Sequence, residues 1–218
     1  LPNKLQKQYN ILESYTECNV CSHDAFRVNV SGESLKNNIC YQTGRYTLME
    51  FYKKFPFFTH STKMFRNKYD LDFWDNLLIS NTILDSDIHI ENLIDGDLYH
   101  IGKKLGKYRV GSGVTNRNHK YNNAFAEAQI RGYERGLKIF KGDKIKEDLL
   151  KEYYALSMLS QAYNYAIFGS NIQMYKKYLK KSFEIKFIGI KQIVFIFGLF
   201  LPNLFFILLK IRNNYNNK

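Results

Sequence analysis

The chain has 218 residues, of which 32 are Lys or Arg and 20 are Asp or Glu, so its net charge is +12. Apolar residues make up 45% of the chain, which excludes a disordered or low-complexity protein and suffices for a buried core. The 3 cysteines cannot all pair, which excludes a disulfide scaffold and favours a reducing compartment. Residues 1–4 contain neither a basic nor an apolar segment, so no signal peptide is predicted.

The N-terminal region opens with a helical pattern followed by an extended one. Apolar residues at helical spacing predict a short helix over residues 4–14. Alternating apolar and polar residues predict a strand over residues 20–30. Thr47 and Glu50 have the spacing of a capping box, which predicts a helix that continues through Lys54.

The middle of the chain continues this mixture. Residues 57–66 are predicted to be extended and residues 70–79 helical. Ser86 and Asp87 precede an apolar run and are predicted to cap a further helix. Residues 98–101 are predicted to form a short strand.

The last third of the chain is predicted to be all helix. Helices are expected over residues 124–140, about 144–168 and 171–183, with breaks at glycine-containing turns. The sequence therefore predicts an α/β region followed by an all-α C-terminal region.

An apolar stretch, Ile193–Leu209, lies near the C-terminus and is interrupted by Gly198, Pro202 and Asn203. Its length is at the lower limit for crossing a bilayer, and a proline near its centre disfavours a continuous span. Basic residues lie on both sides of it, so no orientation is indicated. An interfacial or re-entrant anchor is predicted, and a single transmembrane helix is the alternative.

The positive charge admits three kinds of partner, namely nucleic acid, an anionic membrane or an anionic substrate. The basic residues nearest the apolar stretch are Lys176, Lys177, Lys180, Lys181, Lys186 and Lys191. Basic residues beside an apolar helix are typical of proteins that bind anionic lipid. No nucleic-acid-binding motif is present, and the aromatic residues do not alternate with the basic ones. A membrane is therefore predicted and nucleic acid is not.

Common metal and catalytic motifs do not account for the remaining residues. Cys18 and Cys21 with His23 and Cys40 suggest zinc, but only the first pair has ligand spacing. Buried thiols are the preferred interpretation, and no metal site is predicted there. Gly102–Lys107 lacks the glycine spacing of a phosphate loop, and no nucleophile elbow is present.

Short segments in a consistent order over residues 4–115 carry a resemblance to a known family. They are Lys4–Gln8, Ile11–Glu13, Cys21–His23, Tyr46–Glu50, Phe58–Asn67, Ser86–Ile90, Gly96–Ile101, Tyr108–Val110 and Ser112–Thr115. In this order and with these spacings they resemble the bacterial family 2 glycosyltransferases of the GT-A fold. The resemblance implies an incomplete GT-A-like domain of Rossmann type, of which only the acceptor-side half is represented.

The resemblance also implies roles for individual residues. Asp87 would be the catalytic base that removes the proton of the acceptor hydroxyl, since Asp97 lies too near the Tyr-Arg pair. Arg109 would contact the departing diphosphate. The complete set of implied substrate-binding residues is His60, Ser61, Tyr108, Arg109 and Ser112.

Two departures from the family pattern shape the expectation. Gly111 stands where the family has a histidine, so a contact from that position is missing. The metal- and nucleotide-binding aspartates of the family precede the segment that matches Lys4–Gln8, so the donor half is expected to be absent through N-terminal truncation. The Mg²⁺ or Mn²⁺ ion that the family implies would then have its ligands outside these residues.

These observations lead to one preferred function and two alternatives. The preferred one is an inverting glycosyltransferase that moves a sugar from a nucleotide-sugar to a cell-surface glycan or lipid-linked acceptor. It would be cytoplasmic and peripheral on the inner face of the cell membrane. Its regions would be residues 1–123, a helical hairpin at 124–185, and a membrane-associating tail at 186–218, with 186–212 on the membrane. The first alternative is a non-enzymatic, membrane-peripheral helical adaptor, and a nucleic-acid binder ranks below it.

Overall fold

The computed structural model describes residues 2–35, 40–53, 60–70, 85–110 and 123–216. The chain divides into two compact units, Leu1–Arg117 and Asn118–Lys218. The first, here called the sheet unit, mixes strands and helices, and the second, the helical unit, contains helices in its described residues. The α/β region followed by a helical region agrees with the prediction from the sequence.

A four-stranded mixed sheet forms the centre of the sheet unit, with the strand order β2-β4-β1-β3. The strands are β1 (Cys18–Val28), β2 (Gly44–Tyr46), β3 (Met64–Phe65) and β4 (Asp97–Arg109). β1 and β4 are parallel and pair from Cys18 opposite Asp97 to Val28 opposite Arg109. The short strands β2 and β3 pair antiparallel with β4 and β1, so β1 and β4 carry most of the ladder.

Three helices belong to the described part of the sheet unit, together with a 3₁₀ turn at His60–Thr62. They are α1 (Lys4–Ser14), α2 (Leu48–Lys53) and α3 (Asp85–Ile94). Leu12 of α1 packs against Cys21 of β1 and Ile101 of β4. Gln8 of α1 is fully buried, and its side-chain amide donates to the carbonyl oxygen of Cys21 at 2.8 Å. These contacts fix α1 on the sheet.

Two local predictions are confirmed in the sheet unit. The helix predicted over residues 4–14 is α1. The capping box before α2 also forms: the backbone N–H of Thr47 donates to the Glu50 carboxylate at 2.7 Å, and the N–H of Glu50 donates to Oγ1 of Thr47 at 3.3 Å. Both features depend on residues close in sequence, which is why the local pattern was sufficient.

The strand predictions were less accurate. β1 begins at Cys18 and ends at Val28, two residues earlier than predicted at each end. Its first seven residues are all buried, so the apolar-polar alternation that locates a half-buried strand does not apply to them. The strand predicted over residues 98–101 is present, but it is longer than predicted, because β4 begins at Asp97 and continues to Arg109. Within this extension Lys103 and Lys107 are exposed while Leu105 is buried, and β1 provides the pairing partner.

The prediction of an extended segment over residues 57–66 holds only in part. Met64–Phe65 is a strand, but His60–Thr62 forms a 3₁₀ turn. Residues 57–59 of this region lie outside the described residues, as does the helix predicted over residues 70–79 after Asp70.

The helical unit contains five described α-helices and one π-helical turn, Tyr165–Gly169. The helices are α4 (Asn123–Ile139), α5 (Lys144–Asn164), α6 (Ile172–Ile185), α7 (Ile190–Phe200) and α8 (Pro202–Asn216). Asp143 caps α5 by accepting from the N–H of Lys146 at 3.1 Å, and Asn171 caps α6 by accepting from Met174 at 3.0 Å. The three predicted helices are confirmed to within a few residues.

Tyrosine rings form much of the core of the helical unit. Tyr133 stacks on Tyr154 with ring centroids 5.0 Å apart, and Tyr165 stacks on Tyr178 at 5.4 Å. Each of these four rings is at most 4% exposed. Such large aromatic side chains bury much apolar area. Part of the high tyrosine content of the chain therefore serves to build this core.

The apolar C-terminal stretch forms two helices rather than one. α7 ends at Phe200, and Pro202 begins α8 because proline lacks the N–H that would continue α7 but suits a first helical position. Within the described residues, no helix combines the length and hydropathy needed to cross a bilayer. The interfacial anchor stays a prediction.

Candidate active site at the start of α3

Two carboxylates lie in the first turn of α3. Asp85 is exposed and Asp87 is half-buried. The helix begins at Asp85, one residue before the predicted cap, and Ser86 is buried. Asp87 therefore lies at a helix N-terminus, where the sequence places it, and it is partly exposed.

Lys63 connects the segment after the 3₁₀ turn to α3. Its Nζ lies 2.8 Å from Nδ1 and 3.0 Å from Nε2 of His89. Burial lowers the pKa of Lys63 to about 7, and Asp85 opposes this shift. The residue as a whole is only half-buried, but its amine lies at the buried end of the side chain. The burial of the amine, rather than that of the whole residue, determines the pKa. This pKa lies close to neutral pH and far below the 10.5 of an ordinary lysine.

The two carboxylates of α3 lie on different sides of the helix. Asp85 and His89 are four residues apart, so they share the side nearest Lys63. Asp87 is two residues from each of them, which at about 100° per residue is about 160° around the helix. Asp85 therefore acts electrostatically on Lys63, whereas Asp87 has a separate environment.

The position of α3 on the sheet is fixed by a buried amide. Nδ2 of Asn19 in β1 donates to the carbonyl oxygen of Asn92 at 2.9 Å and to the Asp95 carboxylate at 3.0 Å. The turn that follows α3 contains Gly96, where a Cβ atom would overlap the side chain of Asn19. Since this turn and amide hold the end of the helix, they also orient its first turn, which carries Asp87.

Polar side chains are also buried where β1 pairs with β4. Oγ of Ser22 lies 2.9 Å from Nδ1 of His100, and Nε2 of His100 lies 3.1 Å from the Asp24 carboxylate. Ser22 and His100 are fully buried, and Asp24 is 4% exposed. Because Asp24 accepts, Nε2 of His100 carries the proton and Nδ1 accepts from the Ser22 hydroxyl. The backbone N–H of Tyr41 also donates to Asp24, at 3.3 Å.

The Ser22–His100–Asp24 network has the residue types of a nucleophilic triad. Because the network is buried, a substrate cannot reach the Ser22 hydroxyl, so we assign the network a structural role. Burial lowers the pKa of His100 despite the opposing effect of Asp24, which keeps the ring neutral at pH 7. The network therefore holds β1 and β4 together through hydrogen bonds to one buried carboxylate.

His23 is a second buried histidine on β1, at 2% exposure. Its Nδ1 lies 2.7 Å from the carbonyl oxygen of Asp24 and therefore carries the proton. Its Nε2 is buried and has no hydrogen-bond partner among the described residues. Burial lowers the pKa of His23, so it too is neutral at pH 7.

The residues predicted for the site do not all come together. His60 and Ser61 lie in the 3₁₀ turn next to Lys63, and the carbonyl oxygen of Ser61 accepts from Nζ of Lys4 at 3.0 Å. This turn is joined to the α3 region through Lys63 and His89. Ser112 lies outside the described residues.

Tyr108 and Arg109 lie at the far end of β4, opposite Arg27 and Val28 of β1. From Cys18 to Val28 the sheet extends about 30 Å, whereas α3 returns along it for only about 15 Å. Arg109 is consequently about 15 Å along the sheet from the start of α3, and its contact with a departing diphosphate stays a prediction.

Sequence reasoning did not single out Lys63 or the histidine network. Lys63 lies within the segment that resembles the glycosyltransferases, so its position was a weak signal. Its low pKa depends on burial against His89, which is 26 residues away. The pairing of Ser22 with His100 requires the parallel register of β1 and β4, which no local pattern contains.

The cysteines are buried or isolated, as the preferred interpretation requires. Cys18 and Cys21 are buried free thiols and Cys40 is an exposed one. Burial raises the pKa of Cys18 to about 11 and that of Cys21 to about 12, so both stay protonated. Over the described ranges, no group of three or more His, Cys, Asp or Glu side chains could hold a metal ion. The described residues thus do not fit the divalent cation that the resemblance implies.

No protein-family model, curated protein or solved structure matches this chain. Functional interpretation therefore depends on the chemistry of the α3 region. That region offers Asp87, a half-buried aspartate at the start of a helix, together with a lysine amine whose pKa burial lowers to about 7.

Proposed function

We propose that the protein takes part in inverting sugar transfer, from a nucleotide-sugar to a hydroxyl of a glycan or lipid-linked acceptor, with Asp87 as the catalytic base. The observation that carries the proposal is the half-buried Asp87 carboxylate in the first turn of α3. The resemblance implies a base at this position, after β1 and before β4. A GT-A-like arrangement of the sheet unit is part of the same proposal.

In the proposed reaction Asp87 removes the proton from the acceptor hydroxyl. The hydroxyl oxygen attacks the anomeric carbon, the bond from that carbon to the nucleoside diphosphate breaks, and the bonding electrons leave with the diphosphate. A single in-line displacement inverts the anomeric configuration. A base of this kind must lie within hydrogen-bond distance of the acceptor hydroxyl.

Neighbouring residues have supporting roles in the proposal. Lys63 acts as a positioning residue, because its amine fixes the segment that follows His60 and Ser61 against His89 of α3. Asn19 holds the other end of α3 through Asn92. Arg109 is not assigned to the reacting centre, because of its distance along the sheet. The divalent cation remains an expectation from the resemblance, and no step is assigned to it.

The proposal is tested by turnover with the protein as the cell produces it, its N-terminus established by intact mass. The assay incubates this protein with a panel of nucleotide-sugars and lipid-linked acceptors and measures the released nucleoside diphosphate. NMR of the isolated product then gives the anomeric configuration. We expect release that depends on acceptor and a product of inverted configuration. A retained configuration, or no consumption of any donor by a folded and membrane-bound protein, would contradict the proposal.

A membrane-peripheral adaptor is the second candidate, and one observation favours it. The helical unit is compact by itself and exposes many apolar side chains on α7 and α8. Both candidates include attachment of residues 186–212 to the inner face of the membrane. Vesicle binding without any donor consumption would support the adaptor over the transferase.

A further inference from the structure

Most of the lysines from Lys176 to Lys191, which are predicted to face the membrane, form ion pairs with carboxylates of the helical unit. The ion pairs are Lys177 with Glu127, Lys180 with Glu184, Lys181 with Glu134, and Lys186 with Asp148 and Glu152. Lys210, on the other side of the apolar stretch, donates instead to Oγ of Ser170 at 2.9 Å. The charge of this run is therefore largely balanced within the unit.

Lys191 and Arg212 differ from these residues. In the part of the chain that the structure describes, neither side chain pairs with a carboxylate, and both are exposed. Lys191 lies in the first turn of α7 and Arg212 in the later part of α8. The two cations are 21 residues apart in sequence, yet they line the same cavity.

This cavity lies between α5, α7 and α8 and has a volume of about 440 Å³. Its wall is mostly apolar and includes Leu159, Val194 and Leu209. Ser160 and Tyr163 supply hydroxyl groups, and no acidic side chain lines it. A cavity of this size that combines an apolar wall with a few polar groups is typical of a small-ligand site.

The surface around the cavity is apolar to an unusual degree. Ile190 is 76% exposed, Ile211 61% and Leu208 54%, and all three lie on α7 and α8, two of the three helices that form the cavity. A contiguous exposed apolar surface marks a binding site for protein or membrane. Because cationic groups accompany it here, anionic lipid is the partner whose chemistry matches both features.

We propose that this cavity binds a single phosphate-bearing lipid, with the phosphate between Lys191 and Arg212 and the start of its hydrocarbon chain against Leu159, Val194 and Leu209. The guanidinium of Arg212 can donate two hydrogen bonds to phosphate oxygens, and the Lys191 ammonium adds a further charge-assisted one. The first-turn amides of α7 add to the positive potential. The inference deepens the proposed function, on which its biological meaning rests, because it specifies the class of lipid that the helical unit would select.

The test measures binding of three soluble probes by isothermal titration calorimetry: short-chain phosphatidic acid, phosphatidylcholine of the same chain length, and inorganic phosphate. We expect measurable binding of phosphatidic acid, at least about tenfold weaker binding of phosphatidylcholine because its phosphate is capped, and weak binding of inorganic phosphate because it has no chain. Replacing both cations, K191A/R212A, is expected to weaken phosphatidic acid binding about tenfold or more, since charge-assisted hydrogen bonds are lost.

Two further variants separate a cavity from a merely charged surface. K176A/K180A removes the same charge from exposed positions of α6 outside the cavity, and it is expected to leave phosphatidic acid binding within about twofold of the wild type. Ser160→Trp keeps both cations but fills the cavity from an exposed position, and it is expected to abolish binding of the soluble lipid. Circular dichroism confirms that each variant is folded.

Each result is decisive for the lipid site and independent of turnover. Equal loss in K191A/R212A and K176A/K180A would overturn the proposal, because binding would then follow net charge. Undiminished binding in a folded Ser160→Trp protein would also overturn it. Absence of phosphatidic acid binding by the wild-type protein, with sugar transfer retained, would refute the cavity alone, whereas absent sugar transfer with lipid binding retained in the wild type would refute the transferase alone.

Discussion

The sheet unit and the helical unit depart from the usual distribution of residues in opposite directions. The sheet unit buries polar groups, among them Asn19, Ser22, Asp24 and His100. The helical unit has a core rich in tyrosine, leucine and alanine but exposes large apolar side chains such as Phe197 and Phe200. Buried polar groups are costly unless hydrogen bonds satisfy them, and exposed apolar groups gain nothing from burial, so their concentration in separate units indicates separate purposes. We interpret the first as positioning of a reactive helix and the second as a binding surface.

Breaking the buried polar network is expected to have the largest effect on stability. His100→Leu leaves the Asp24 carboxylate buried without its ring donor. The free energy of unfolding is expected to fall by about 3 kcal/mol, because an uncompensated buried charge is costly. Urea denaturation measures this change.

A second variant identifies the cause of that loss. Asp24→Asn removes the charge while keeping an acceptor oxygen, so H100L/D24N is expected to be more stable than H100L by about 1 kcal/mol. If the losses of stability in H100L and D24N simply add in the double variant, burial of the carboxylate does not dominate the loss in H100L. The contrast between the two units would then weaken.

The lysine next to α3 is expected to make stability depend on pH. The pKa of Lys63 is about 7 in the folded protein, below its ordinary value of 10.5. Between these values the unfolded chain binds more protons than the folded one, so stability rises as the pH increases through this range. Relative to Lys63→Met, the wild type is expected to gain about 2 kcal/mol from pH 7 to pH 9.

Urea denaturation of both proteins at several pH values gives this difference directly. Lys186→Met is a matched control, because Lys186 is an ion-paired lysine at the surface of the helical unit. The difference in stability between the wild type and Lys186→Met is expected to change much less with pH. If the difference in the free energy of unfolding between the wild type and Lys63→Met does not change with pH, burial of the amine against His89 would be contradicted.

The exposed phenylalanines of α7 are expected to have the smallest effect on folding. Phe197 is 65% exposed and Phe200 76%, so F197S/F200S is expected to change the free energy of unfolding by less than about 0.5 kcal/mol. Co-sedimentation with vesicles is nevertheless expected to weaken about tenfold, since both rings would lose apolar burial in the bilayer. A large loss of stability with unchanged sedimentation would reverse the interpretation of this surface.

The two units also differ in how far the sequence predicts them. The helical unit follows local rules: its helices begin at capping residues such as Asp143 and Asn171, and its predicted boundaries are nearly right. The sheet unit depends on pairing between distant segments. β4 was predicted too short because its lysines and glycines do not form an apolar run, and only the parallel partner β1 makes them a strand.

The same distinction applies to the candidate site. The place of Asp87 at the start of a helix could be predicted from the sequence, because a helix N-terminus is a local feature, whereas its role as a base rests on the resemblance and stays a prediction. The separation of Arg109 from it could not, since that depends on the length of β4 and the direction of α3. The pKa of Lys63 likewise depends on burial by His89, which is far from it in sequence.

The central claim is that Asp87 is the catalytic base, and comparison of Asp87→Asn with Asp85→Asn tests it most directly. Both aspartates lie in the first turn of α3, so the two variants share any effect on the helix. In the protein as the cell produces it, turnover of the nucleotide-sugar is expected to fall at least about a hundredfold in Asp87→Asn, given the usual contribution of a general base. Donor binding should be retained, and Asp85→Asn should stay within about fivefold of the wild type. Unchanged turnover in Asp87→Asn, or an equal loss in both variants, would contradict the assignment.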